Sequence, residues 1–130
     1  MIGIWGEHAQ AFLLVFSVIV TVVFALPISL APLTWGRIFL WKIPDETDLL
    51  LYFGRGAGFF LLTLLVFTFR AGITGEGLVL MFEFLTILFA LMIVLHVYGA
   101  VRRIQPITET VEIGIYCVVL LLILMFFPVA

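Results

Sequence analysis

The stretch LVLMFEFLTILFALMIVLHVYGAV, residues 78–101, decides the fold. In this run only Glu83 and His96 can carry a charge near neutral pH. About 20 predominantly apolar residues wound as a helix cross the ~30 Å hydrocarbon layer of a bilayer. This segment is long enough to span, and its neighbours repeat the pattern. Apolar runs cover residues 11–30, 49–69 and 110–127, with Pro27 near the end of the first. The expected architecture is therefore all-α, a single domain over residues 1–130 built as an integral membrane bundle of four transmembrane helices.

Composition agrees. The 130 residues are 65% hydrophobic and 11% charged, with a mean hydropathy of +1.38. Soluble domains are about half apolar and about a quarter charged, and a short chain buries too little of its surface to hide such an excess. Lipid has to be the main solvent. Met1 to Gln10 holds no Lys or Arg, whereas the start of a secretory signal is positively charged, so the first apolar run is read as a retained span.

The breaks between spans are punctuated. Asp45, Glu46 and Asp48 precede the second run, where acids suit a helix N-terminus. The Ala71-Gly72-Ile73-Thr74-Gly75 run marks a tight turn, and Pro106 separates the third and fourth runs. The longest connection, residues 32–48, sets Trp35 and Trp41 among Arg37 and Lys42. Tryptophan beside basic residues is an interfacial pattern, so both are read as interface anchors on a segment lying along the membrane surface. One side of the bilayer carries Arg37, Lys42, Arg55, Arg102 and Arg103, the other only Arg70. The positive-inside rule then makes loops 31–48 and 102–109 cytoplasmic and turns both termini outward. The expected location is the bacterial inner membrane.

Ionisable groups at membrane depth are costly and mark candidate sites. Arg55 lies roughly 9 Å inside the second span, and His96 roughly 8 Å from the same surface in the third. Glu112 falls within the first turns of the fourth, on one face with Thr108 and Tyr116 at i, i+4 spacing. Arg55, His96, Glu112 and Tyr116 form the expected polar or ligand-binding cluster, with Arg55 forking across the Glu112 carboxylate. Three uses stay open: a structural polar lock, a headgroup or ligand pocket, and proton or quinone chemistry. Arg70 and Glu83 form an expected second pair near the other surface, because Arg70 can snorkel. Glu83 and His96 differ by about 140° around their helix at 100° per residue, so they serve different faces. Gly54 and Gly58 give a small-xxx-small face for close helix packing.

Other chemistries find little support. The glycines around Arg55 lack the strand context and the Lys-Ser/Thr ending of a phosphate loop. His8 and His96 sit near opposite surfaces and cannot share one haem iron. No catalytic nucleophile arrangement and no metal-ligand cluster stands out, and Cys117 is read as a small buried hydrophobe. No basic run suits nucleic acid.

The layout resembles the DoxX-like group of small four-helix membrane proteins. The resemblance rests on Pro32-Leu33-Thr34-Trp35-Gly36 after the first span, on Asp48 followed by Gly54-Arg55-Gly56, and on Arg102, Arg103 and Glu109 between the last two helices. It implies a four-helix bundle and, in some members, association with a quinone-linked oxidoreductase. The expected function is a non-catalytic subunit of a larger membrane complex, with lipid, other membrane subunits or further copies of itself as partners. No cofactor is expected, although quinone or lipid could be bound. The alternative is a small quinone- or proton-coupled redox component.

Overall fold

A computed structural model describes residues 2–129. Four helical spans cross the bundle: Gly6–Leu30, Asp48–Thr74, Leu78–Arg102 and Ile107–Met125, each long and apolar enough to traverse a membrane. Among the described residues there is no strand. The chain is an all-α integral membrane bundle.

The first span is composite. A 3₁₀ turn, Gly6–His8, leads into α1, Ala9–Val20; a π-helical stretch, Thr21–Ala25, follows, and then α2, Leu26–Leu30. Pro27 is the cause of the wide turn. Its ring nitrogen cannot donate, so the Val23 carbonyl four residues back loses its helical partner. The backbone widens instead, and Leu26 N–H reaches the Thr21 carbonyl. The orphaned Val23 oxygen accepts a hydrogen bond from Trp35 Nε1 at 3.2 Å. Trp35 belongs to α3, Pro32–Ile38, a short helix in the long connection. Its half-buried ring thus replaces a missing backbone donor and stacks on Phe39 with centroids 4.4 Å apart.

The remaining helices are α4, Asp48–Thr74, α5, Leu78–Arg102, and α6, Ile107–Met125. The first span packs on α4, and α5 pairs with α6. Close approach between α2 and α4 depends on glycine. A Cβ at Gly58 would lie 2.6 Å from Ser29 N, and one at Gly54 would lie 2.8 Å from Pro32 Cβ. These are the two glycines of the small-xxx-small face, and it is turned inward.

The two ends of the bundle differ. At the end holding both termini, Gly3 N–H and Trp5 N–H bond the Leu124 and Met125 carbonyls, supplying partners that the last turn of α6 lacks. Gln10 Nε2 donates to Gly72 O at 3.2 Å, tying α1 to α4. Here Leu13, Phe82, Leu85 and Ile123 are fully buried. An aromatic column descends from them, with Phe12 against Phe82, Phe16 against Phe89, Phe89 against Tyr116, and Tyr116 edge-on to His96. At the opposite, basic end the core turns polar.

Candidate functional site

The polar cluster is built by α5, α6 and the connection before α4. His96 lies less than two turns from the C-terminus of α5, while Glu109 and Glu112 stand on one face of α6 at i, i+3 spacing. All three are buried, at 4%, 7% and 5% exposure. Gln105 closes the α5–α6 turn over them, donating to the His96 carbonyl at 3.0 Å and to Thr110 Oγ1 at 3.2 Å. Gly99 makes room for it, since a Cβ there would strike the Gln105 amide oxygen.

The contacts fix proton positions. His96 Nδ1 lies 2.7 Å from the Met92 carbonyl, an oxygen that can only accept, so Nδ1 carries a hydrogen. Nε2 lies 2.8 Å from Glu109 Oε2. One proton therefore sits on that axis, whether it is written as imidazolium with carboxylate or as imidazole with carboxylic acid. Trp41 Nε1 donates to the other Glu109 oxygen at 2.8 Å. Tyr116 donates its hydroxyl to Glu112 Oε2 at 2.6 Å, and the same oxygen stands 3.7 Å from His96 Nε2. Glu112 Oε1 is buried with no hydrogen-bond partner. Burying two carboxylates is tolerable only with such partners, and removal of one partner from a buried charged pair typically costs about 3–5 kcal/mol.

Trp41 reaches the cluster through a strained turn. Leu40 holds φ at 64°, its N–H bonds Arg37 O, and Trp41 N–H bonds Gly36 O. This is a Schellman ending for α3, with leucine in the left-handed position that glycine usually takes. Left-handed backbone at a residue with a Cβ costs about 1–2 kcal/mol. The turn also brings the Phe39 carbonyl to the Thr108 hydroxyl, which donates to it at the start of α6. The connection is thereby latched over the cluster.

Several expectations are corrected. Arg55 is exposed and forms no ion pair among the described residues, so it does not fork across Glu112. The reason lies in packing: the basic-end half of α4 rests on α2 and α3, whereas the cluster lies between α5 and α6. Arg70 pairs with Glu76 in the tight turn at 3.0 Å rather than with Glu83, which is exposed on α5. Both members of that pair are well exposed, so it contributes at most about 1 kcal/mol. Cys117 is exposed on the outer face of α6 rather than buried. Trp41 is more than an interface anchor, because its indole enters the cluster.

His96, Glu112 and Tyr116 do come together. Glu109 completes the group from the first turn of α6, a position that the sequence alone assigns to the connection between the last two helices. Its signal was present in the Glu109/Glu112 spacing. The ligand atoms of His96, Glu109 and Glu112 lie within 4.8 Å of one another, an arrangement able to hold a metal ion. No family model, curated protein or solved structure matches this chain.

Proposed function

We propose that this chain is a non-catalytic integral membrane subunit that packs against transmembrane helices of a larger complex. One observation carries the reading: Arg55 and Glu83 are exposed on spanning helices, and neither forms an ion pair among the described residues. A charged side chain facing lipid near the middle of a span is disfavoured by about 2.5–3.5 kcal/mol, less near the ends. A neighbouring helix offering an acid to Arg55 and a donor to Glu83 would remove that cost. A second copy in the same orientation cannot pair the two with each other, because their depths differ by about 18 Å at ~1.5 Å per residue. We take the partner to be a chain of different sequence.

The quinone-linked alternative needs an open pocket at the cluster. His96, Glu109 and Glu112 are instead closed against one another, which favours the subunit reading. Under the same proposal the basic end faces the cytoplasm, following the positive-inside rule. DoxX-like membership and a bacterial inner-membrane location belong to it as well, resting on the motifs around Trp35 and Arg55.

The test is purification of the tagged chain from its own membranes in mild detergent. Other membrane chains should co-purify in fixed ratio and be lost from the Arg55→Leu, Glu83→Leu double variant. A wild-type chain recovered alone, or with lipid only, would sink the proposal.

A further inference from the structure

We infer that His96, Glu109 and Glu112 form a binding site for one divalent transition-metal ion. Three observations converge on it. First, the His96 Nδ1–H is committed to the Met92 carbonyl. Histidines that ligate metals characteristically donate their other ring N–H to a carbonyl or carboxylate, which leaves the remaining nitrogen's lone pair for the metal. Here Nε2 faces both carboxylates, at 2.8 and 3.7 Å. Second, Glu112 keeps one oxygen buried and unpartnered although the residue is only 5% exposed. That oxygen has coordinating capacity no protein group uses. Third, the charges balance. Two carboxylates and a doubly charged cation sum to zero, which suits a site closed off from water.

The spacing is compatible with coordination. Ligands about 2.0–2.1 Å from a tetrahedral ion stand about 3.4 Å apart. The two Nε2–oxygen distances bracket that value, and all three ligand atoms lie within 4.8 Å of one another, so binding needs a modest closing of the side chains. The ion would take the place of the proton on the His96–Glu109 axis. Trp41, donating to the far oxygen of Glu109, and Tyr116, donating to Glu112, are positioning residues that aim the carboxylates.

Donor type narrows the ion. One imidazole with carboxylates suits Zn²⁺, Mn²⁺ or Fe²⁺. Mg²⁺ and Ca²⁺ favour all-oxygen shells of six or more ligands, and Cu⁺ favours sulfur; Cys117 is on the outer face.

The experiment uses the full chain, purified in detergent and stripped with chelator. It is then given Zn²⁺ or Mn²⁺ alone, passed through gel filtration and analysed for bound metal. One ion per chain is expected, with a rise in thermal midpoint. His96→Gln and Glu112→Gln should each weaken binding at least about tenfold, as loss of even an outer-shell partner does. Glu76→Gln, in the turn at the opposite end of the bundle, should bind as wild type does. Co²⁺ added to the wild-type chain provides a test independent of whether the variants fold. Ligand-field absorption of a low-coordinate nitrogen–oxygen site is expected. A folded wild-type chain that takes up no stoichiometric metal and gives no such absorption overturns the inference. So do folded His96 and Glu112 variants that bind like wild type.

Discussion

Replacing Trp41 with phenylalanine isolates the contact that latches the long connection to the cluster. Phenylalanine keeps most of the aromatic body and deletes the Nε1 donor that lies 2.8 Å from Glu109 Oε1. A hydrogen bond to a charged group contributes about 1.5–3 kcal/mol net. Trp41 is 38% exposed, so water or a headgroup can restore part of the loss, and the expected destabilisation is about 1 kcal/mol. The assay is reversible unfolding in detergent micelles, run as a double-mutant cycle with Glu109→Leu, which removes both acceptor oxygens. Contacting residues of this kind show coupling of about 0.5–3 kcal/mol, whereas independent sites add to within about 0.3–0.5 kcal/mol. Additivity of Trp41→Phe and Glu109→Leu would show that the indole does not hold the carboxylate, and the latch would have to be abandoned.

Further outcomes follow from the packing. Gly58→Ala drives a Cβ into the Ser29 backbone and should destabilise by about 1–3 kcal/mol, whereas Gly56→Ala meets nothing within 4 Å and should be neutral or stabilising by up to about 1 kcal/mol; thermal unfolding of the two variants checks the contrast. Trp35→Phe strands the Val23 carbonyl and should destabilise by about 1–3 kcal/mol. Adding Pro27→Ala restores the N–H four residues after Val23, so the double variant should recover part of that loss in the same assay. Cysteines placed at Lys42 and Glu76 should react with a membrane-impermeant maleimide from opposite sides of sealed vesicles; labelling from one side would refute the four-span topology.

The spans were legible because apolar length is a strong signal and bilayer thickness sets a single scale. Gly54 and Gly58 were legible too, since close backbone approach demands small residues. The basic end of the bundle was only half readable. His96, Glu112 and Tyr116 could be placed at one level by counting residues along helices. Counting gives depth, but it does not say which neighbour a helix face meets. Arg55 shares that depth and still faces outward, because Gly54 and Gly58 commit α4 to α2 and α3. Trp41 was hidden for another reason. Its position depends on a left-handed Leu40, and a conformation that leucine rarely adopts leaves no trace in composition. The Arg70 pairing went to Glu76 because a short turn holds that residue close, at less entropic cost than the reach to Glu83.

The central claim is that the charges left on the outside of this bundle are covered by another protein chain. A photo-crosslinking amino acid at Gly56, exposed beside Arg55 with nothing within 4 Å, tests it in native membranes without detergent. A discrete crosslinked product containing a second, different polypeptide is the predicted result. Crosslinks to lipid alone would contradict it.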